Sequence, residues 1–382
     1  MKIVIDARFF GTGTGIGRYV EQLILNLEKI DLRNKYFILI NQRNKDKYQP
    51  SNLNFKKIIV NIPWYGLAEQ IKIPLVLNKI KPDLVHFPHF NVPFFCKYPF
   101  VVSIHDLILT KYPSQRATTL SPLKYFLKNL LYKIIIRRAV KESQTVITMA
   151  NFTKEEIVRE FKLVETQSVA SVQKIKVIYE GVTKLEYNDA EVDFKKHLRL
   201  PMGTRINKKF VLYVGNAYPH KNLEFMVRAF KNFQQDCQLV LIGRKDYFYQ
   251  RLEKLIQDLN LNQRIILTGH IADEKLGAFY RNTQAYIFPS LCEGFGLPPL
   301  EALQFEIPVL SSNFSCLPEI LEDSALYFDP TNKDDFLKKL NQILWDENLR
   351  NELISNSKKI LLKYNWQKTA EKTLKIYTSL KP

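Results

Sequence analysis

Cysteine is scarce in this sequence, and long apolar segments are missing from it. The four cysteines lie far apart and form no Cys-x-x-Cys pair, which argues against a zinc site or a redox motif. No run of about eighteen uncharged apolar residues occurs, so we expect no membrane-spanning helix. The opening residues, MKIVIDARFF, already have the pattern of a strand and lack the features of a secretory signal. These absences predict a cytoplasmic protein with reduced thiols.

Acidic residues are too few to balance the basic ones. The chain has 56 Lys and Arg against 38 Asp and Glu, which gives a net charge of +18. The segment 107–141 has eight basic residues and no acidic one. Such a charge attracts nucleic acid or an anionic lipid surface, unless it reflects only a lysine-rich composition. Because an RNP-like strand, a zinc finger and a clear helix-turn-helix are missing, we expect no nucleic-acid partner.

Short apolar runs alternate with helical patterns along the whole chain, which is typical of parallel α/β units. Thirteen strands are predicted, at 2–6, 36–41, 57–61, 84–87, 100–105, 145–149, 174–179, 210–215, 238–243, 264–268, 285–288, 308–311 and 325–328. Thr153, with Glu156 three residues later, predicts a capping box at the start of a helix. The polar stretch 186–209 interrupts the alternation and predicts a linker. We therefore expect an α/β protein with two Rossmann-like domains, 1–190 and 205–364, that face a cleft.

The segment FPSLCEGFGLPPLEA, 288–302, is the most informative motif. A predicted strand leads into a turn with Gly294 and Gly296, and a helix follows near Pro298. Glycines allow close backbone approach, and the N–H groups at a helix start favour phosphate. Glu301 could reach back to vicinal hydroxyls such as those of ribose. The alternative is a tight strand–turn–helix junction in which the glutamate only caps the helix.

Three further segments place polar residues at predicted strand ends. In YVGNAYPHKNLEF, Lys221 offers a positive charge to a diphosphate, although it could equally be a surface lysine at a helix start. GTGTGIGRYVEQL resembles a phosphate loop but matches neither a dinucleotide fingerprint nor a Walker A loop. His105 ends a predicted strand, where a core hydrogen bond is the usual role. The spacing of His86 and His89 argues against a metal site, and we expect both to line the acceptor side of the cleft.

Glu293-Gly-Phe-Gly-Leu-Pro-Pro-Leu-Glu301 resembles the Glu-x7-Glu signature of retaining glycosyltransferases of family 4, in the GT-B superfamily. The segments 308–330 and 364–377 are also similar to that family, as is the GTGIGRYV opening. The resemblance implies a GT-B fold whose last helix, 365–382, packs back on the first domain. It also implies transfer of a sugar from a nucleotide-sugar donor, with retention of configuration, to a glycan or lipid-linked acceptor. The form of the motifs is similar to mannosyl- and rhamnosyltransferases of bacterial surface polysaccharide, which favours GDP-mannose.

The resemblance also assigns roles to individual residues. It gives Glu301 the donor ribose, Glu293 the transferred sugar, Lys221 the leaving diphosphate, and His105 a place beside the transferred sugar. Asn216 and His220 stand where more arginine-rich members of the family have a second cation, so His220 could supply that charge only when protonated. Further donor contacts are implied for Gly15, Gly17, Gly243, Ile271, Gly294, Phe295, Gly296 and Leu297, and acceptor contacts for Arg18.

Two further expectations concern partners. No two aspartates stand two positions apart, so positive side chains and helix N-termini should replace a metal ion at the diphosphate, and we expect no cofactor. The helix predicted at 121–141 interleaves aromatic and aliphatic residues with Lys and Arg, which suits the inner membrane surface. A helix with one buried face and a solvated basic side would have the same pattern. A GT-B epimerase and a basic nucleic-acid-binding protein are the alternative functions.

Overall fold

The computed structural model describes residues 1–112, 121–163, 172–184, 206 and 209–380. The chain divides into two compact units. The first unit contains Met1–Gly181 and Tyr364–Pro382, and the second contains Val182–Lys363. The end of the chain therefore belongs to the same unit as its beginning.

Each unit is built on one sheet whose described strands are all parallel. In the first unit the order is β3-β2-β1-β4-β5-β6-β7, and in the second it is β10-β9-β8-β11-β12-β13. The strands are β1 Lys2–Ile5, β2 Lys35–Asn41, β3 Phe55–Val60, β4 Leu84–Phe87, β5 Phe100–Ile104, β6 Thr145–Thr148, β7 Ile175–Val177, β8 Phe210–Val214, β9 Gln238–Ile242, β10 Ile265–Gly269, β11 Tyr286–Phe288, β12 Val309–Ser312 and β13 Ala325–Phe328.

Most of the helices connect one strand to the next, and the last three follow β13. They are α1 Gly15–Ile30, α2 Leu67–Ile80, α3 Ile108–Lys111, α4 Pro122–Glu142, α5 Asn151–Glu160, α6 Leu223–Phe230, α7 Tyr247–Asp258, α8 Asp273–Asn282, α9 Leu297–Gln304, α10 Leu317–Leu321, α11 Lys333–Trp345, α12 Glu347–Leu361 and α13 Trp366–Ser379. Short 3₁₀ helices occur at Gln42–Lys47, Pro219–Lys221 and Glu322–Ser324. No helix in the described part of the chain is long and apolar enough to span a bilayer.

The prediction of thirteen strands is confirmed, and each strand begins and ends within two residues of the predicted positions. The signal was strong because central strands of parallel sheets are buried on both faces and therefore read as continuous apolar runs. In β5 and β9, for example, every residue is buried. The two-domain parallel α/β fold class predicted from this alternation is also confirmed.

The predicted capping box at Thr153 is wrong. Helix α5 begins at Asn151 after Ala150, and no side chain caps it. Thr153 lies inside the helix and donates from its hydroxyl to the backbone carbonyl of His105, 3.4 Å away. Glu156 pairs with Arg159 and Lys111 instead of turning back to the helix start. The side chains of Thr153 and Glu156 therefore contact other residues instead of capping the helix.

The strand order reverses once in each sheet. In the first unit the reversal lies between β1 and β4, and in the second it lies between β8 and β11. At such a point the connections leave the carboxyl ends of the two strands in opposite directions and open a crevice, which is where α/β sheets bind ligands. The topology thus marks one candidate site on each unit, at the loops after these four strands.

Candidate active site

The loop between β11 and α9 carries the Glu-x7-Glu motif and is held in one conformation. Gly296 has a φ of +98°, which side-chain-bearing residues rarely adopt. A Cβ atom added there would also lie 3.0 Å from the Leu317 side chain. Phe295 and Leu297 are buried on either side of this glycine, while Gly294 is half-buried. The turn before α9 therefore needs glycine at position 296.

Lys221 and Glu293 form an ion pair at the crevice of the second unit. The Lys221 Nζ atom lies 2.6 Å from Oε1 and 2.8 Å from Oε2 of Glu293. Their side chains are only 14% and 9% exposed, so water screens the pair weakly. The loops that carry them are also joined, because the backbone N–H of Leu291 donates to the carbonyl of His220 at 2.7 Å. The loops after β8 and β11 thus meet as the strand order predicts.

Ser315 fixes the backbone of Glu293. Its hydroxyl accepts from the Glu293 N–H at 3.1 Å and donates to the Glu293 carbonyl at 3.0 Å. The Cys316 thiol also contacts this carbonyl, at 3.3 Å. With its backbone fixed, the carboxylate of Glu293 can move only by side-chain rotation. The Glu293 carboxylate therefore neutralises the Lys221 ammonium. A bound anion could replace this carboxylate as the partner of Lys221.

Glu301 lies in α9, the helix that follows the Glu293 loop, and is 5% exposed. Tyr286, on β11, donates from its hydroxyl to the carbonyl of Val214 on β8, at 3.1 Å. Burial raises the pKa of Tyr286 well above its ordinary value, and Tyr280 and the carboxylates of Glu301 and Glu293 raise it further. The charges of both carboxylates of the motif therefore act on one tyrosine at the strand reversal.

His220 cannot supply the second cation at neutral pH. Burial lowers the pKa of His220 to about 4, and the neighbouring Lys221 ammonium lowers it as well. The imidazole is therefore neutral near pH 7, so the protonation that His220 would need to act as a second cation is not met there. Its contribution to the site is the backbone carbonyl that accepts from Leu291.

The other residues predicted for the donor lie at the same edge of the second sheet. Asn216 is exposed after β8, and its side chain accepts from the Tyr218 N–H at 3.3 Å. Gly243 follows β9, and a Cβ atom there would lie 2.2 Å from the carbonyl oxygen of Gly215. Ile271 follows β10 and is half-buried. These positions share an edge because the carboxyl ends of parallel strands point the same way.

In the first unit, the glycine-rich loop turns tightly between β1 and α1. Gly11 and Gly13 both have a φ of +70°. Thr14 caps α1 by accepting from the Gly17 N–H at 3.1 Å. A Cβ atom on Gly17 would lie 2.8 Å from the carbonyl oxygen of Phe9, whereas one on Gly15 would meet nothing within 4 Å. Gly17 is thus needed for packing, and Gly15 leaves the helix start open. Arg18 follows in the first turn.

His105 is held by two acceptors at the end of β5. Its Nδ1 lies 3.1 Å from Glu180 Oε1, and its Nε2 lies 2.9 Å from the carbonyl oxygen of Pro88. Burial alone would lower the pKa of His105, but Glu180 and the Pro88 carbonyl raise it above its ordinary value. Two acceptors require two N–H donors, which favours the imidazolium form. Its contact with a transferred sugar stays a prediction, because both nitrogens are already bonded.

His86 does not line an acceptor surface, which corrects the sequence prediction. It lies on β4 with no exposed surface. Its Nδ1 is 2.5 Å from the hydroxyl of Tyr377 on α13, and its Nε2 is 2.9 Å from that of Ser103, which in turn is 3.0 Å from the Tyr19 hydroxyl. The ring belongs to a buried hydrogen-bond chain that ties the last helix to the first sheet. The described residues contain no group of three or more metal-ligating side chains.

His89 lies at the strand reversal of the first unit, beside a buried charged cluster that sequence reasoning missed. Arg8, with no exposed surface, pairs with Asp6 through Nε at 2.7 Å and Nη2 at 2.6 Å, and also with Glu69. Glu69 accepts from the side-chain amide of Asn91, whose oxygen is 2.9 Å from His89 Nδ1. The sequence did hold a signal, because two opposite charges directly after a buried strand need partners.

Acid should weaken the first unit through its buried histidines. Burial lowers the pKa values of His86 and His89 to about 3, from 6.5. Between these values only the unfolded chain binds the protons, so each histidine removes up to about 1.4 kcal/mol of stability per pH unit as the pH falls below 6.5. Urea unfolding between pH 7 and 5 should show this loss of stability. The His86→Gln variant should lose less stability over the same range, because it lacks the part of the loss that His86 causes. Parallel pH profiles for the two proteins would contradict this.

Comparison with known proteins agrees with this architecture. The model for Glycosyltransferase Family 4 matches residues 13–184, and that for Glycosyl transferases group 1 matches residues 194–360. Together, the two matches cover most of both units. The chain therefore belongs to the family 4 glycosyltransferases of the GT-B fold, and it is a glycosyltransferase.

Individual relatives are distant but extend over most of the chain. An O-antigen chain mannosyltransferase B of Escherichia coli is 24% identical, and the match covers 96% of each chain. A sucrose-phosphate synthase from Thermosynechococcus elongatus has a similar structure, with a TM-score of 0.76 at 21% identity over 100% of this chain and 99% of that one. Anabaena HepE, solved in complex with UDP and glucose, has a TM-score of 0.72 at 18% identity over 99% of this chain and 100% of that one. These structural similarities confirm the GT-B fold.

Proposed function

We propose that this protein transfers a sugar, with retention of configuration, from a nucleotide-sugar donor to a glycan or lipid-linked acceptor of a surface polysaccharide. The observation that carries the proposal is the Lys221–Glu293 ion pair at the strand reversal of the second unit, and Glu301, on the helix that follows Glu293, is buried as well. The shielded ammonium provides one group for a diphosphate, and the two carboxylates provide acceptors for sugar hydroxyls.

In the proposed donor complex, the diphosphate replaces the Glu293 carboxylate as the partner of Lys221. Glu293, released from the pair, then accepts hydrogen bonds from hydroxyls of the transferred sugar. Glu301 accepts from the two ribose hydroxyls. The backbone N–H groups from Gly294 to Leu297 face the phosphates and the sugar at the start of α9, which has eight residues.

The proposed chemistry is a front-face displacement. The acceptor hydroxyl attacks the anomeric carbon on the side from which the diphosphate leaves, so the configuration is retained. The bond between the sugar and the phosphate oxygen breaks, and that oxygen takes the hydroxyl proton. Lys221 and the N–H groups stabilise the departing negative charge, and the fixed loop contributes orientation.

For the donor we propose GDP-mannose. The support is the name of the Escherichia coli relative, which is a mannosyltransferase. HepE was solved with UDP and glucose, but at 18% identity it supports only the fold. Thermal-shift measurements with GDP, UDP, ADP and dTDP and their sugars test this choice, since a bound ligand stabilises in proportion to RT ln(1 + [L]/Kd). GDP and GDP-mannose should raise the melting temperature most. If no nucleotide raises it, the proposed function is wrong.

Donor incubated without acceptor separates transfer from epimerisation. A transferase should release only slow hydrolysis products, namely the free sugar and the nucleoside diphosphate. An isomerised nucleotide sugar in that mixture would favour an epimerase and contradict the transferase.

We further propose that transfer needs no divalent metal, because Lys221 and the N–H groups of α9 supply the positive field at the diphosphate. EDTA should therefore leave the transfer rate unchanged, as measured by release of nucleoside diphosphate. Loss of activity in EDTA that Mg²⁺ restores would show that a metal ion neutralises the diphosphate.

We propose that the protein works in the cytoplasm, at the inner face of the plasma membrane. On α4, Phe126 is 64% exposed and Leu123 is 70% exposed. The buried residues of this helix lie in its second half, at Tyr132, Ile136, Ala139 and Val140. The first half therefore presents apolar side chains beside Lys124 and Lys128, which suits insertion between anionic headgroups.

The protein should sediment with phosphatidylglycerol vesicles and be released by high salt, because salt screens the lysines from the anionic headgroups. Replacing Leu123 and Phe126 by serine should weaken binding, whereas Trp345→Ser, at an exposed apolar residue of the second unit, should not. Equal sedimentation with phosphatidylcholine vesicles would contradict the membrane proposal.

A further inference from the structure

The strand reversal of the first unit carries a cluster of aromatic rings with no assigned role. Phe9 follows β1, Trp64 and Tyr65 follow β3, and His89 follows β4. The ring centroids of Phe9 and Trp64 are 4.8 Å apart and the rings are stacked, and those of Phe9 and His89 are 5.4 Å apart. Tyr65 and His89 meet edge to face at 5.9 Å. None of these four side chains is fully buried. We call Phe9, Trp64, Tyr65 and His89 the aromatic platform.

Two polar atoms of the aromatic platform lack a partner within the described residues. The Trp64 Nε1–H is buried and has no acceptor there, and buried donors in proteins are nearly always bonded. His89 Nδ1 faces the Asn91 side-chain oxygen, because the Asn91 amide nitrogen donates to Glu69. Nδ1 must therefore carry the proton, which leaves His89 Nε2 as an acceptor with no partner among the described residues. The platform thus combines apolar ring faces with one donor and one acceptor.

The buried cluster around Arg8 holds the aromatic platform in place. The Arg8 guanidinium donates to the carbonyls of Ile62 and Pro63, just before Trp64, at 3.4 Å each. The Tyr65 N–H donates to Glu69 at 3.0 Å. Tyr65 has a φ of +58°, and it is 51% exposed. A non-glycine residue held in this strained region, with its ring toward solvent, is a feature found at ligand sites.

The charge near the aromatic platform selects against anions. Two carboxylates, from Asp6 and Glu69, face the single guanidinium of Arg8. A phosphate or a nucleotide would meet this excess of negative charge, whereas a neutral ring with hydroxyl groups would not. Apolar faces with a few fixed polar atoms fit the C–H faces and hydroxyls of a sugar ring.

We propose that the aromatic platform binds a saccharide ring of the acceptor, with Tyr65 and Trp64 against its C–H face. This inference rests on the proposed transferase function, because it names the part of the first unit that holds the acceptor. It assigns acceptor recognition to Phe9, Trp64 and Tyr65 in addition to His89, and the buried His86 takes no part.

The test measures saccharide binding directly, with α-1,3-linked mannotriose and cellotriose as probes in titration calorimetry and tryptophan fluorescence. At least one trisaccharide should bind the wild-type protein. Tyr65→Ala and Trp64→Ala should each weaken that binding about tenfold or more, since tryptophan and tyrosine dominate such contacts. Trp64→Phe, which keeps the stacked ring and removes the N–H, guards against misfolding and should weaken binding by a smaller factor. Trp345→Ala, at an exposed aromatic of the second unit, is the matched control and should not change it.

The same proteins are titrated with GDP, so that the two proposals can fail separately. Unchanged GDP affinity with weakened trisaccharide binding in the Tyr65 and Trp64 variants supports the aromatic platform. If the wild type binds neither trisaccharide, or if the variants bind as tightly as the wild type, the platform is wrong. In that case stabilisation by GDP still stands for the donor site, whereas a protein that no nucleotide stabilises refutes the transferase proposal itself.

Discussion

Replacing Lys221 by alanine should lower kcat/KM for sugar transfer by about ten- to a hundredfold or more. A charge-assisted hydrogen bond contributes about 1.5–3 kcal/mol, and here the bond strengthens as charge develops on the leaving diphosphate. The loss should therefore appear in kcat as well as in KM. Steady-state release of nucleoside diphosphate measures it.

The ion pair with Glu293 means that Lys221→Ala also leaves a carboxylate with little solvent and no partner. Breaking a buried pair costs about 3–5 kcal/mol, so part of the defect could come from instability. The double variant Lys221→Ala, Glu293→Gln separates the two effects, because it removes the unpaired charge. It should regain most of the stability in urea unfolding and none of the transfer activity. Transfer by Lys221→Ala at a near wild-type rate would remove the diphosphate role.

Replacing Arg8 by alanine should destabilise the first unit by about 3–5 kcal/mol, a large part of the stability of an ordinary domain. Arg8 has no exposed surface, and its loss leaves Asp6 and Glu69 buried without their cation. The loops that its guanidinium joins, after β1 and β3, should also loosen. Urea unfolding measures the loss, with Trp64 and Trp366 reporting on the first unit and Trp345 on the second.

The control for Arg8 is a triple variant without charge. Arg8→Met combined with Asp6→Asn and Glu69→Gln removes the guanidinium and both carboxylates, and it should be clearly more stable than Arg8→Ala. Arg137→Ala, at an exposed arginine of α4, should leave stability unchanged. An Arg8→Ala protein that unfolds at the wild-type urea concentration would show that the cluster contributes little.

The donor loop could be predicted from sequence because its constraints are local. Gly296 must adopt a positive φ, Phe295 and Leu297 must be buried, and a proline follows at the start of α9. These demands fall within a few residues, so spacing alone reveals the turn. The ion pair between Lys221 and Glu293 could not be predicted in this way, because 72 positions separate the two residues. They meet only because β8 and β11 are neighbours in the sheet.

The first unit shows where sequence reasoning ends. The hydroxyl that bonds His86 comes from Tyr377, 291 positions away, and no local pattern distinguishes such a core histidine from a surface one. The network around Arg8 likewise joins loops that meet only because β1 lies between β2 and β4. The charge of His220 could not be read from the sequence, because its pKa depends on burial and on Lys221, which spacing does not report.

The central claim is that one lysine and one glutamate of the second unit hold the two ends of a ribose diphosphate. A crystal structure with bound nucleoside diphosphate tests it most directly. We predict that Lys221 Nζ leaves Glu293 and contacts a phosphate oxygen, while Glu301 accepts from both ribose hydroxyls. A nucleotide bound elsewhere, with Lys221 still paired to Glu293, would contradict the account.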